Sequence, residues 1–554
     1  MELIHQHAKG IMEGCKERAK AAGLRFHDET LEYIVTNRDL IELSPKLMIP
    51  TLYDYWIHDV EVLKEKGRYE LYPTNPYETV INTRPVISFY NENNPDWLNV
   101  MIFYHVLAHI DFFQNNLYFR HTWDDDFTGQ ALSDKRLIAK LRSEKGRWVD
   151  YVIEFARGID NLVGYHTVLS RLNRPSGSPR SRRLDFYFDI FLQDGTRGTS
   201  VEYLKEIERY NDCLRAFGEI GETAFFSEVN GKHPELEVVF KKWEAEKRDD
   251  RLDLLQFIQE NSEFLNKGGN NWMKPVIEVV RKTSLFFQPQ IRTKIMNEGW
   301  ASYWHEALFL KDDRINGHEV DFAKINAGVT ALPRIGINPY GLGLRLFQDI
   351  EEGADRGKYS FEFLKLLDID LRKKFDAGTG CGRNFIFKVR ENFCDFTFLH
   401  TFVDQDFVTK NRLFVSGKRL NRNQAVWEYY VKSRNAEDYR RMLFDSLYHP
   451  PHIVIGNGLP KDRAKDNTLC LVHRFEGKPL VADFIGNTML GIEYFWGGPV
   501  WLETTEPKSM PPDRPDRGSF GHSGTVEGPS EITWQKVLYT MENRKLSKQI
   551  LGSA

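Results

Sequence analysis

An apolar and aromatic segment, Lys294–Glu306, constrains the fold of this chain most strongly, because it carries ionisable side chains among residues that are normally buried. Glu298 and His305 lie seven positions apart in it. In an α-helix of ~3.6 residues per turn, that spacing brings both side chains to one face. Two small residues, Ala301 and Ser302, lie between them on that face. The segment therefore predicts a buried helix whose polar face another helix or an ion can approach closely.

A second apolar segment, Tyr104–Asn116, offers the partners for such a face. Its His105 and His109 stand at positions i and i+4, about 40° apart around a helix, and can bind one transition-metal ion through both imidazoles. Two histidines and a carboxylate from a separate helix form a common ligand set for catalytic zinc and for non-haem iron. The sequence therefore predicts a metal site of His105, His109 and Glu298 with an open position. Its predicted cofactor is zinc or another divalent transition metal.

The pattern departs from the HExxH helix of metallopeptidases at one position. Val106 stands where those enzymes carry the glutamate that acts as general base. A hydrolase built on this site needs another base, for which His305 and Glu306 are the catalytic candidates and Asp111 is a further local carboxylate. Two other interpretations stay open: the ion is structural, or the histidines pack in the core without a metal. Whether the chain is an enzyme is therefore also open.

A glycine-rich string, Asp376–Gly382, resembles the binding loops of nucleotide- and methyl-donor-dependent enzymes. Such a loop follows a buried apolar strand and leads into a helix. Here the charged segment Leu371–Phe375 precedes the string, and the strand-like segment Phe385–Val389 follows it. This order argues against a nucleotide-type cofactor, and we assign no cofactor-binding residues besides the metal ligands.

Composition and charge narrow the class of protein. The 554 residues suffice for more than one domain, and an aromatic content of 13% indicates a packed interior. The 75 basic and 79 acidic residues give a net charge of −4, which predicts no nucleic-acid partner. The first residues lack the features of a secretion signal, and no segment approaches the ~18 apolar residues of a membrane span. We therefore predict a cytoplasmic protein without an integral membrane segment, and the sequence leaves its oligomeric state open.

The pattern of elements predicts an α+β fold in three parts. Residues 1–375 show helical periodicity, which predicts a large, mainly α-helical N-terminal domain with the candidate metal site. Residues 376–504 alternate short β-rich runs with helical segments, which predicts a smaller α+β module. Residues 505–554 begin with a Pro- and Gly-rich stretch and predict a flexible linker that leads to a terminal helix at about residues 531–546. A basic loop, residues 171–183, interrupts the first part.

Several segments resemble the signature segments of the SpoVR family (stage V sporulation protein R), and they follow in the same order along the chain. The resemblance covers roughly residues 40–500, and the segments are Tyr77–Asn82, His105–Asn116, Ile295–His305 and Asn338–Gly343. The basic loop, the glycine-rich string and the tail after Thr504 match none of the family segments.

The resemblance implies a cytoplasmic protein that affects the cell envelope. Family members in endospore-forming bacteria are associated with the spore cortex, a modified peptidoglycan, and similar proteins in other bacteria with stress or stationary-phase physiology. The latter occur alongside a serine protein kinase and a von Willebrand A-type protein, which the resemblance implies as partners. One hypothesis is a metal-dependent, hydrolase-like protein built on the predicted site, with His305 and Glu306 in catalysis. The other is a non-enzymatic regulator or scaffold that acts through the kinase and the von Willebrand A-type partner.

Overall fold

The structure is a computed structural model of the chain, and it divides the protein into two compact units. It describes residues 2–36, 39, 78–122, 127–159, 162, 182–192, 200–246, 253–421, 426–447, 451–455, 467–475, 479–508 and 533–553. The first unit is Met1–Arg157 with Trp272–Pro450, and the second is Gly158–Asn271 with Pro451–Ala554. Each unit therefore contains two separate stretches of the chain.

The first unit consists mainly of helices around an apolar core. Its described helices are Gln6–Ala21, Asp96–Asn115, Phe127–Lys145, Trp148–Arg157, Met273–Arg292, Lys294–Phe309, Glu319–Thr330, Pro339–Asp355, Phe361–Lys365, Ile369–Lys374, Gly382–Asn392, Asp395–Phe402, Gln405–Lys410 and Ala436–Ser446. Three of them carry the candidate site: the histidine helix (Asp96–Asn115), the glutamate helix (Lys294–Phe309) and the tyrosine helix (Pro339–Asp355).

A four-stranded sheet also belongs to the first unit. Its strands lie in the order Glu2–Leu3, Thr30–Val35, Val86–Asn91 and Glu78–Ile81. The middle pair is parallel, and both outer pairs are antiparallel. The histidine helix packs against the last of these strands, which begins with Glu78. A separate hairpin joins the strands Val415–Asn421 and Val426–Ser433.

The histidine helix is buried along most of its length because its residues are apolar on every face. Every side chain from Val100 to Phe113 is buried. A helix that is apolar all round belongs in a protein core. Its end is held by Asn116, whose side-chain amide donates hydrogen bonds to the backbone carbonyls of Arg390 and Phe393. The two histidines of this helix are thereby removed from bulk water.

Two glycines bring the backbones of the glutamate helix and the tyrosine helix into contact. A methyl group built on Gly299 would lie 2.4 Å from the Cα atom of Gly343, and one built on Gly343 would lie 2.2 Å from the carbonyl oxygen of Ile295. No side chain larger than hydrogen fits at these distances. The contact brings Tyr340, in the first turn of the tyrosine helix, next to Glu298.

A carboxylate from a different helix caps the start of the glutamate helix. Asp395 accepts hydrogen bonds from the backbone N–H groups of Ile295 and Met296, each 2.9 Å long. The first N–H groups of a helix have no partner within the helix, so this carboxylate satisfies donors that are otherwise left over. Burial raises the pKa of Asp395 to about 7, although the backbone donors act in the opposite direction. The cap fixes the backbone immediately before Glu298.

The second unit combines helices with a five-stranded sheet. Its described helices are Arg182–Phe186, Ser200–Phe217, Gly221–Lys232, Leu236–Glu246, Leu254–Asn261, Glu263–Asn266 and Ala482–Trp496. The strands lie in the order Lys545–Ser553, Trp534–Glu542, Val500–Pro507, Leu469–His473 and Ile453–Ile455. The pair of Val500–Pro507 with Leu469–His473 is parallel, and the other pairs are antiparallel.

The predicted α+β class with a large helical part is confirmed. The predicted domain boundary near residue 375 falls inside the first unit, because Trp272–Pro450 packs with the N-terminal residues. Among the helices that the structure describes, none combines the length and the apolar character needed to span a membrane. Most of the predicted linker, residues 509–532, and most of the basic loop, residues 171–181, lie outside the described residues, whereas residues 505–507 belong to the strand Val500–Pro507.

The predicted terminal helix is wrong, because the last two strands of the second unit occupy this region. Val537, Tyr539 and Met541 are buried in alternation with more exposed residues, which is the period of a strand rather than of a helix. The chain turns at Asn543 and Arg544, whose φ angles are 50° and 62°. Positive φ at both central residues is typical of a two-residue β-hairpin turn.

The segment Phe385–Val389 is helical rather than a strand. It lies in the helix Gly382–Asn392, where the buried residues Ile386 and Val389 are three positions apart, as a helix face requires. The glycine-rich string therefore does lead into a helix. However, the helix Ile369–Lys374 precedes it, in place of the strand that a nucleotide-binding loop follows.

We predict that Gly299→Ala destabilises the first unit by about 3 kcal/mol, because the added methyl group meets backbone that has no room to move aside. Urea unfolding followed by tryptophan fluorescence measures the change, since Trp300 and Trp304 are fully buried in the same helix. Gly328→Ala is the matched control, because nothing lies within 4 Å of a methyl group built on Gly328 in the helix Glu319–Thr330. The control should be neutral or more stable by up to about 1 kcal/mol. Equal unfolding midpoints for both variants would contradict the contact between the helices.

Candidate metal centre

Three side chains from two helices of the first unit converge on one point. His105 and His109 project from the histidine helix, and Glu298 projects from the glutamate helix. One ligand atom from each residue lies within 4.8 Å of the others. The Nε2 atoms of His105 and His109 are 3.8 Å and 3.5 Å from the Oε2 atom of Glu298. We refer to these three residues as the His–His–Glu cluster.

Hydrogen bonding fixes the tautomer of His109. Its Nδ1 atom lies 2.9 Å from the side-chain oxygen of Asn297. Because an amide oxygen only accepts hydrogen bonds, Nδ1 must carry the proton and donate it. Burial, together with the neighbouring His105, lowers the pKa of His109 to about 4, so the ring is neutral near pH 7. The Nε2 atom therefore turns a lone pair towards Glu298.

A chain of hydrogen bonds fixes the tautomer of His105 in the same way. The Glu306 carboxylate accepts a hydrogen bond of 3.0 Å from the amide nitrogen of Asn326, which turns the Asn326 oxygen towards His305. The His305 Nε2 atom donates to that oxygen at 2.9 Å, so the Nδ1 atom of a neutral His305 carries a lone pair. It accepts from the His105 Nδ1 atom, 2.9 Å away. In the neutral tautomer that this chain selects, the His105 Nε2 atom has the lone pair.

Burial keeps this chain in its neutral form. His305 is almost fully buried, and burial lowers its pKa to about 3, with the nearby His105 acting in the same direction. Neutral His305 can donate through one nitrogen and accept through the other, which the two hydrogen bonds require. The chain from Glu306 to His105 therefore has one consistent assignment of protons.

The cluster thus directs two imidazole lone pairs at a carboxylate. Among the described residues, neither His105 Nε2 nor Glu298 Oε2 has a hydrogen-bond partner, although both atoms are buried. Acceptors that face one another without a donor are costly in a protein interior, and a bound cation satisfies them all at once. Zinc binds histidine nitrogen at ~2.0–2.1 Å and carboxylate oxygen at ~2.0–2.2 Å, which suits acceptors separated by 3.5–3.8 Å. The donor set and its hydrogen-bonded surroundings therefore fit a transition metal.

Opposing effects act on the carboxylate of the cluster. Burial raises the pKa of Glu298, whereas a hydrogen bond from His105 and the charges of His109 and His105, in the form in which these rings carry a proton towards it, lower the pKa overall. The group is therefore ionised near pH 7, which is the form that binds a cation.

Two residues border the cluster that sequence reasoning did not assign to it. The Oε1 atom of Glu78 lies 4.0 Å from His105 Nε2. The Tyr340 ring stacks on His105 with 6.1 Å between ring centroids. Burial raises the pKa of Tyr340, and the charges of Glu298 and Glu78 raise it further. Each residue lies in one of the segments on which the family resemblance rests. A polar side chain in such a segment is the sequence signal that could have identified them.

The two predicted catalytic residues lie behind the cluster rather than beside an open position. Both ring nitrogens of His305 are engaged, by His105 and by Asn326. The Glu306 carboxylate binds Asn326 and Gln348. Both side chains are thus engaged in hydrogen bonds that lead to His105, and their assignment to catalysis stays a prediction.

The further base candidate, Asp111, points away from the cluster, as the sequence indicates. Asp111 forms a buried ion pair with Arg390, and accepts hydrogen bonds from the Trp300 indole and from the backbone of Arg25. Burial raises the pKa of Asp111 to about 6, and Arg390 opposes this shift. Asp111 therefore joins elements of the core and is not available as a base.

Comparison with known proteins identifies relatives of the chain. The family model described as SpoVR like protein matches residues 4–449. A similar protein is the uncharacterized protein YcgB of Escherichia coli (strain K12), which is 25% identical over 485 residues, or 80% of this chain and 85% of that protein. No solved structure matches the chain. The matched region contains every residue of the His–His–Glu cluster and its surroundings.

We predict that the metal-free protein loses stability as the pH falls from 6.5 towards 3, in part because of His305. The folded pKa of His305 is about 3 and the ordinary value is 6.5, so in this window the unfolded chain takes up a proton that the folded chain excludes. In His305→Gln, the slope of unfolding free energy against pH between 5 and 6 should be smaller by up to about 1.4 kcal/mol per pH unit. Urea titrations in a chelator measure the slope, with the exposed His27→Gln as control. Identical slopes for wild type and His305→Gln would contradict a buried neutral His305.

Proposed function

The chain belongs to the SpoVR family, and from this membership we propose that it is a cytoplasmic protein of cell-envelope physiology with a metal-dependent, hydrolase-like centre. In an endospore-forming bacterium, the process is formation of the spore cortex. In a bacterium that does not sporulate, it is envelope maintenance under stress or in stationary phase. A serine protein kinase and a von Willebrand A-type protein are the proposed partners, which the family resemblance supports.

One observation carries the metal-dependent part of the proposal. The Nε2 atoms of His105 and His109 lie 3.8 Å and 3.5 Å from the Oε2 atom of Glu298, and among the described residues neither His105 Nε2 nor Glu298 Oε2, both buried, has a hydrogen-bond partner. A cation at the centre of the cluster would satisfy these acceptors together, which supports the proposal. Three protein ligands leave the fourth position of a tetrahedral zinc ion for water or substrate, as in catalytic zinc sites. The chemistry that such an ion supplies is activation of water and polarisation of a carbonyl group.

A second candidate function is that of a non-enzymatic regulator or scaffold. It is favoured by the hydrogen-bond chain from Glu306 to His105, which would also serve as a polar network that specifies the packing of the core. In that case, an ion in the cluster is structural or absent. A metal-free variant that is folded and still restores a deletion strain would support this alternative over the enzyme.

We predict that the purified protein holds about one transition-metal ion per chain and that Glu298→Gln loses it, because the amide supplies a weaker, uncharged ligand. Elemental analysis after dialysis, and titration of the stripped protein with zinc, measure the stoichiometry and the affinity. The control is Glu362→Gln, at an exposed position in the same unit. A folded wild-type protein that binds no metal would overturn the proposed centre.

We predict that Asn326→Leu weakens zinc binding by about 10- to 100-fold, the usual effect of losing a residue that orients a metal ligand. Without the Asn326 oxygen, the His305 ring loses the hydrogen bond that sets its tautomer, and His305 no longer holds the proton of His105 on Nδ1. Gln348→Leu is the matched control, because Gln348 is exposed and contacts only the far oxygen of Glu306. Its affinity should stay within about twofold of wild type. Equal zinc affinities for Asn326→Leu and the control would contradict the role of this chain.

A further inference from the structure

We propose that Glu78 is the catalytic base of the His–His–Glu cluster. It takes the role of the glutamate that metallopeptidases carry at the position of Val106. This inference rests on the proposed function, since it assigns a residue to the same centre. It concerns a side chain that reaches the cluster from the sheet and not from either ligand-bearing helix.

The position of Glu78 in the sheet brings it to the cluster. Glu78 opens the strand Glu78–Ile81 and is in register with Tyr90 of the neighbouring strand. This strand packs against the histidine helix. As a result, the Glu78 Oε1 atom lies 4.0 Å from His105 Nε2, the same atom that faces Glu298 at 3.8 Å.

Glu78 adjoins the ligand set without completing it. The residues whose ligand atoms all lie within 4.8 Å of one another are those of the His–His–Glu cluster, and Glu78 is outside that group. A carboxylate beside the ligands, rather than among them, is the position of a general base in a zinc hydrolase. The Glu78 side chain is 20% exposed, compared with 6% for His105. Glu298 is exposed to a similar extent, 17%, so both carboxylates are partly accessible to water.

The other carboxylates near the cluster have different partners. Asp111 is paired with Arg390 and faces away, and Glu306 is held by Asn326 behind His305. Val106 is fully buried and carries no polar atom. A general base must lie within hydrogen-bond reach of the proton it removes, directly or through one water molecule. Of these acidic side chains, Glu78 is the one that lies beside a ligand atom of the cluster, 4.0 Å from His105 Nε2.

The proposed step is hydrolysis of a carbonyl compound such as an amide. The Glu78 carboxylate takes one proton from a water molecule, and the remaining hydroxide oxygen forms a bond to the carbonyl carbon. The carbon–nitrogen bond then breaks, and Glu78 returns its proton to the leaving nitrogen. Water and amide become a carboxylic acid and an amine, and Glu78 ends in its starting state.

The test compares Glu78→Gln, Glu78→Asp and Glu298→Gln in the full-length chain, with the exposed Glu92→Gln as matched control. Each protein is stripped and loaded with Co²⁺, whose visible spectrum reports the ligands and any added molecule. Two probes are then titrated. Acetohydroxamic acid must give up a proton to bind a metal, so a neighbouring base assists it. Azide is already an anion and needs no base.

We expect Glu78→Gln to keep one Co²⁺ per chain and to bind acetohydroxamic acid at least about tenfold more weakly, since a positioned base contributes about 100-fold or more to a proton transfer. Its azide affinity should be equal to that of the wild type or higher, because a negative charge has been removed. Glu78→Asp should give an intermediate loss for acetohydroxamic acid, and Glu92→Gln no change with either probe.

Two results would overturn the assignment of Glu78. Loss of Co²⁺ from Glu78→Gln to the same extent as from Glu298→Gln would make Glu78 a fourth ligand. Unchanged affinity for acetohydroxamic acid in a Co²⁺-loaded Glu78→Gln would mean that no proton passes to this carboxylate. Failure of the wild type to take up Co²⁺ would instead overturn the proposed function itself, and the inference with it.

Discussion

The backbone contact between the glutamate helix and the tyrosine helix is the constraint on which the candidate centre depends. A side chain at Gly299 or Gly343 would force the helices apart. Glu298 precedes Gly299 in sequence, and Tyr340 lies one turn before Gly343, so the same contact sets the distance between these two polar groups. Asp395 then fixes the first turn of the glutamate helix. The position of the Glu298 carboxylate is therefore determined by the glycine contact with the tyrosine helix and by the Asp395 cap.

Burial and hydrogen bonding act together on the histidines. The apolar histidine helix removes His105 and His109 from water, and a neutral imidazole has one donor and one acceptor. The donors are used by Asn297 and His305, so both acceptors point to the same carboxylate. Unpaired acceptors of this kind cost free energy, and the surrounding apolar packing offsets that cost. The arrangement supports the proposed binding of a cation rather than a role in the stability of the core.

The ligand-type residues could be predicted from the sequence because they lie in long apolar helical runs. A spacing of four positions determines that His105 and His109 share a face, whatever the rest of the fold. Glu78 was missed because it is distant from these residues in sequence and meets them only through strand pairing. His305 was placed on the same helix face as Glu298, but its partner Asn326 lies on a third helix, so no local pattern indicates that both ring nitrogens are engaged.

The parts of the fold that could be predicted are likewise the long apolar helical runs. Long helices with a strong apolar period were recognised, whereas the segment Phe385–Val389 was misread because an apolar run of a few residues fits a strand or a helix equally well. The unit boundary was missed because contacts between distant stretches of chain leave no local pattern. The residues that are buried in the last strands alternate along the sequence with more exposed ones. In the structure, the chain turns between these strands at Asn543 and Arg544.

The cap on the glutamate helix has a consequence for the order in which the protein acquires its centre. Asp395 follows Ile295 by 100 positions, so during synthesis the first turn of that helix emerges long before the carboxylate that holds it. The histidine helix has been synthesised earlier still. A chain that is still growing therefore contains all three residues of the cluster before it can fix their geometry. The geometry proposed to hold an ion is consequently complete only after translation of the helix Asp395–Phe402.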